Sequence, residues 1–147
     1  MKNHTSATIS LWMTRAITVL VVLLCFFLYN LMDWYGSLRQ LPRPVSLAII
    51  IGFYFCVPGV LMALRSLEKL LVNVLRQEIF IIYNVNRIRC IRWCCAWVGL
   101  VCLVAGVLYP PLLFLAVIMA FLALIVTVVK NVMAAAVEIR EENDLTI

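Results

Sequence analysis

Charge is scarce in this sequence. Of its 147 residues only 13% are Asp, Glu, Lys or Arg, where a soluble domain carries about a quarter. Histidine is nearly missing, His4 being the only one. There is no glycine-rich phosphate loop and no Cys-x-x-Cys pair. These gaps argue against a serine–histidine hydrolase, a histidine-held haem or zinc, and a thiol–disulfide enzyme. Too much of the chain is apolar for a soluble or a disordered protein.

Apolar residues make up 66% of the chain, and the mean hydropathy is +1.10. They gather into four runs, at 16–32, 45–64, 93–109 and 110–129. None contains an ionisable Asp, Glu, Lys, Arg or His. Each is roughly 17 to 20 residues, the length of a helix crossing the hydrocarbon. Pumps and intramembrane enzymes need ionisable groups at that depth, so a binding or structural role is favoured over catalysis or transport. We therefore expect an all-α integral membrane protein, a single domain of four transmembrane helices. No cofactor, no metal and no direct contact with nucleic acid are expected, whereas contact with membrane lipids is.

Runs three and four meet at Tyr109-Pro110-Pro111. Proline disfavours helix in the residue before it and lacks an amide donor. The spot reads as a tight turn between two spans rather than the middle of one overlong helix. Pro58, inside the second run, should free the carbonyl of Tyr54 and bend the helix, as a hinge or as a tolerated kink.

Four spans put both termini and the middle loop on one side. Of the 12 lysines and arginines, all but Arg39 and Arg43 lie on that side. By the positive-inside rule it is the cytoplasm. Residues 29–35 offer no small-residue cleavage site, so the first run should stay as an anchor.

Small residues recur every three or four positions in the last three runs. Ala48, Gly52, Cys56, Gly59 and Ala63 mark the second. Cys95, Gly99, Cys102 and Gly106 mark the third, and Ala116, Ala120, Ala123 and Thr127 the fourth. Such stripes let helix backbones approach in lipid, inside a bundle or between copies of the chain or with another membrane protein. Ala48, Gly52, Gly59, Gly99, Gly106 and Ala120 are the candidate packing residues. Of the six cysteines, Cys90, Cys94, Cys95 and Cys102 cluster at the third run. Packing as small hydrophobes accounts for them more simply than a soft-metal site.

The segment 65–92 is long for a connection without structure of its own. Leu67, Leu70, Leu71, Val74 and Leu75 follow the spacing of one helix face, with Arg65, Lys69 and Arg76 off it. This predicts an amphipathic helix, either lying on the inner leaflet or prolonging the second span. Residues 79–86 are apolar but too few to cross. Arg87, Arg89 and Arg92 follow; they anchor the third span and meet anionic headgroups, or they dock an acidic partner. An acidic segment lies in the same chain, with Glu138, Glu141, Glu142 and Asp144 around the single cation Arg140. It is either solvated or clasped to those arginines, and exposed ion pairs are worth only ~0–1 kcal/mol each.

Two stretches resemble a known family. Asn84-Val85-Asn86-Arg87-Ile88-Arg89-Cys90-Ile91 is similar to the Asn/Leu-Arg stretch before the third span of a bacterial family of small four-span proteins. Ile88 stands where the family pattern has leucine. The ending Glu141-Glu142-Asn143-Asp144-Leu145-Thr146-Ile147 resembles that family's C-terminal signature. The family is the domain-of-unknown-function family 2975, commonly found beside a small helix-turn-helix regulator. The resemblance implies the membrane half of a regulatory pair, with a small soluble DNA-binding partner, and no enzymatic activity to carry over. It singles out Arg87, Arg89 and Arg92 for electrostatics and Glu141, Glu142, Asp144 and Leu145 for recognition. The alternative is an accessory subunit of a membrane complex, such as a transporter partner or an immunity-type protein.

Overall fold

In lipid a backbone must satisfy its own amides and carbonyls, and the helix does this within one segment. The computed structural model describes residues 2–40, 42–76 and 82–146, with the side chains of 2–5 and of 144 excepted. These residues form four helices: α1 (Lys2–Arg39), α2 (Arg43–Leu75), α3 (Ile82–Gly106) and α4 (Pro111–Leu145). Each is long and apolar enough to cross a membrane. The chain is a multi-pass membrane protein built as an antiparallel four-helix bundle.

Proline sets two of the helix starts. Pro42 and Pro110 are the N-caps of α2 and α4, and Pro44 and Pro111 occupy their first turns, where no amide donor is needed. Between α3 and α4 the chain turns tightly. The amides of Leu108 and Tyr109 both donate to the Ala105 carbonyl at 3.1 Å, and Leu113 N donates to Pro110 O at 2.9 Å. The expected turn is therefore present. Gln40 closes α1 with a φ of 50°, the left-handed conformation that commonly ends a helix.

Each helix approaches only its sequence neighbours among the described residues. The bundle is a row, α1–α2–α3–α4, with α3 between α2 and α4. The small residues set the spacing. A Cβ on Gly52 would sit 3.6 Å from the Ala105 Cβ, and one on Gly59 would sit 3.4 Å from Val98. On the other flank of α3, a Cβ on Gly99 would meet the Met119 Cβ at 3.3 Å and the Ala120 amide at 3.9 Å. Gly106 faces Leu113 still more closely. Ala48 is half-buried on α2. Thus Gly52, Gly59, Gly99 and Gly106 bring helices of this one chain together. Val98, Cys102 and Ala116 form the buried core between them, with Cys56, Val60 and Met119 packed against it.

Pro58 lies inside α2 without ending it. The Trp97 indole N–H donates to the carbonyl of Phe55 at 3.0 Å, one residue past the Tyr54 carbonyl that the proline leaves without its usual donor. Across the other α2 flank the Tyr54 hydroxyl donates to the Cys25 carbonyl of α1 at 3.0 Å. Side-chain-to-backbone hydrogen bonds thus tie α2 to both neighbours.

At the end carrying the two interhelical turns, Tyr109 stands beside Tyr35 of α1. The Tyr109 phenol is held above the ordinary tyrosine range, first by its hydrogen bond with Tyr35, then by desolvation and by Tyr35's own charge. Arg39 pulls the other way. The contact links the end of α1 to the turn between α3 and α4.

Candidate functional site

A helix of about 20 residues crosses the hydrocarbon, yet α1, α2 and α4 have 38, 33 and 35 residues. Most of the excess lies at the end that carries both termini. There 2–15 of α1, 65–75 of α2, 82–92 of α3 and 130–145 of α4 prolong the four spans. At 1.5 Å per residue they rise roughly 16 to 24 Å, and we term them the headpiece. Of the two forms expected for the first half of the 65–92 segment, the structure has the prolonged span. The second half opens α3 from Ile82, and residues 77–81 lie outside the described residues.

Several side chains are buried along the headpiece: Leu11, Val85, Ile88 and Val137, together with the polar Thr14, Ser66 and Asn84. Asn84 has no exposed surface and accepts a hydrogen bond from the Asn73 amide at 2.7 Å. Thr14 donates to the Ser10 carbonyl and Thr18 to the Thr14 carbonyl, each at 2.8 Å. Among the described residues no buried side-chain nitrogen or oxygen lacks a partner. Arg15 of α1 and Glu68 of α2 form an ion pair at 2.8 Å on the surface. Sequence periodicity missed these residues. Their one signal was an isolated Asn84 among apolar neighbours, since a buried amide has to be paired.

The three arginines of α3 do not share a face. Arg89 and Arg92 are three residues apart and point to one side, while Arg87 stands about 160° from Arg89 around the helix. Arg87 lies over the Tyr83 ring, 4.6 Å from its centre, and donates to the Tyr83 hydroxyl. Arg92 lies over the Trp93 ring at 5.4 Å. Arg89 is exposed.

The acidic segment is helical, the end of α4. Glu138, Glu141, Glu142 and Leu145 follow the spacing i, i+3, i+4, i+7 and so lie along one face. All are exposed, Leu145 by 89%. The side chain of Asp144 lies outside the described residues. Among the described residues Glu138, Glu141 and Glu142 form no ion pair with Arg87, Arg89 or Arg92. What remains is an acidic helix face with an apolar residue at its tip. It suits an ionic and apolar contact with a basic surface.

The six cysteines are free thiols. Cys94 and Cys102 are buried on α3, and Cys56 meets Cys102 in the core. Among the described residues no three His, Cys, Asp or Glu side chains stand close enough together to hold a metal ion.

No curated protein and no solved structure matches this chain. A family model does match, that of a protein of unknown function, DUF2975, over residues 7–147. That span takes in all four membrane helices and nearly the whole headpiece, and the chain belongs to this family.

Proposed function

We propose that the chain is a non-enzymatic regulatory membrane protein that holds a small DNA-binding protein at a bacterial inner membrane. Both termini and the headpiece then face the cytoplasm, in keeping with the distribution of lysine and arginine. The observation that carries the reading is the exposed face of Glu138, Glu141, Glu142 and Leu145 on helical α4. DNA-binding proteins carry basic surfaces that meet phosphates. An acidic helix face competes for such a surface, and an exposed leucine adds an apolar anchor. The resemblance to a family found beside small helix-turn-helix regulators supports the same partner class. Arg87, Arg89 and Arg92 then set the electrostatics of the headpiece.

The test is affinity purification from native membranes in mild detergent, the full chain beside a form ending at Val137. A small soluble DNA-binding protein retained only by the full chain is the expected result. Retention by neither form, or equally by both, would overturn the role of the α4 face. The accessory-subunit reading keeps one observation in its favour: among the described residues α2 is the one helix that α1 packs against. An integral membrane partner retained by both forms would select it.

A further inference from the structure

A groove of about 560 Å³ runs between α3 and α4 on the outer surface of the bundle. Gly99 on α3 and Ala116, Ala120 and Ala123 on α4 line its floor. Their small side chains let the helices approach and leave the space above them open. From Arg92 to Leu103 the groove follows α3 for about 16 Å, close to the depth of one leaflet.

One end of the groove is charged. Arg92 lines it, beside Trp93. Arg92 lies about 21 Å along α3 from Gly106, near the edge of a hydrocarbon layer ~30 Å thick. Lys130 follows the lining residue Thr127 by three positions on α4, one position short of a full turn, and so stands near the same end. No acidic residue lines the groove. The Thr127 hydroxyl donates to the Ala123 carbonyl at 2.7 Å and is already committed. The cation at the mouth therefore has no carboxylate partner in the lining. A guanidinium there matches a phosphate in charge and in fork geometry.

We propose that this groove is a site for an anionic phospholipid, with one acyl chain on the Gly99–Ala120 floor and the headgroup phosphate on Arg92. The inference stands apart from any role of the α4 acidic face. A neutral transmembrane helix would fill the apolar floor but leave Arg92 without its anion, which is why a lipid fits better.

The test is native mass spectrometry of the full chain in mild detergent, equilibrated with phosphatidylglycerol and phosphatidylcholine of matched acyl chains. Preferential retention of phosphatidylglycerol is expected. Arg92→Gln should lower that retention roughly fivefold, the worth of one cation near a charged membrane surface. Arg65→Gln, an exposed arginine at the same depth on α2, should leave it unchanged. Ala120→Leu should lower retention of both lipids by filling the floor. If that variant loses helicity, Ala123→Leu makes the same test. Equal retention of the two lipids by the parent chain would overturn the proposal. So would an equal loss in Arg65→Gln, or displacement of the lipid by soluble glycerol phosphate.

Discussion

The side-chain amide of Asn73 on α2 donates to the side-chain oxygen of Asn84 on α3 at 2.7 Å, and Asn84 is closed off from solvent. The pair bridges the two helices on either side of residues 77–81, at the far end of the headpiece from the membrane. Removing the Asn73 amide takes this donor from the buried Asn84 oxygen, a change that costs about 1–3 kcal/mol for buried polar groups. Asn73→Ala should therefore destabilise the chain by that amount in SDS-induced unfolding. A double-mutant cycle with Asn84→Ala should show clear coupling. Additive losses would mean that the hydrogen bond contributes nothing of its own.

Much of this was legible because lipid narrows the choices. A run of apolar residues without charge has to become a helix there, and the four runs became four helices. The Tyr109-Pro110-Pro111 turn followed from the chemistry of proline alone. Gly52, Gly59, Gly99 and Gly106 could be singled out by spacing, though not assigned to partners. Their stripes fit a contact inside the bundle and one between chains equally well. The headpiece was harder to see. Its helices carry polar residues on a buried face, where periodicity expects apolar ones. Nothing in the spacing of Thr14, Ser66 and Asn84 marks them as buried. The order of the row was hidden for a related reason. From Trp93 onward α3 is apolar on nearly all sides, since it meets α2, α4 and lipid, so no single face announces its neighbours.

The Arg15–Glu68 pair is a weaker bond than its 2.8 Å distance suggests. The two side chains are 55% and 35% exposed, so water and salt screen them. Glu68→Gln should cost less than about 1 kcal/mol in low salt, and the difference should vanish at high ionic strength. A loss that persists in high salt would place the pair in a drier setting than its exposure indicates.

The glycines should rank by the room their neighbours leave. At Gly52 an added methyl makes ordinary contact at 3.6 Å, so Gly52→Ala should be neutral or stabilising by up to about 1 kcal/mol through helix propensity. At Gly59 the methyl would press on the Trp97 ring at 3.1 Å, and that ring is held by its bond to the Phe55 carbonyl. Gly59→Ala should therefore destabilise. At Gly106 it would lie 2.6 Å and 2.8 Å from the Leu113 side chain and 3.1 Å from the Leu113 amide, itself bonded to Pro110. Gly106→Ala should cost most, about 1–3 kcal/mol, because the tight turn leaves α4 little freedom to withdraw. The midpoints of SDS-induced unfolding for the three variants check the order. Equal midpoints would mean that the helices slide apart at no cost.

The Tyr35–Tyr109 contact predicts a dependence on alkaline pH. Tyr109 titrates above the ordinary phenol range of about 10 when folded, chiefly through its hydrogen bond with Tyr35. A pKa raised by folding means that the protonated phenol is the form the fold favours. The contribution of this contact is thus fully present below the ordinary phenol range, and it is lost as pH rises through the raised pKa of Tyr109. An ultraviolet phenolate titration of the full chain should show one tyrosine ionising late among the five in the sequence. In Tyr35→Phe that late step should move down toward the ordinary range, where the nearby Arg39 favours the phenolate. Superimposable titrations of the two chains would show that Tyr35 does not hold the Tyr109 proton, and that the end of α1 is not tied to the α3–α4 turn through this pair.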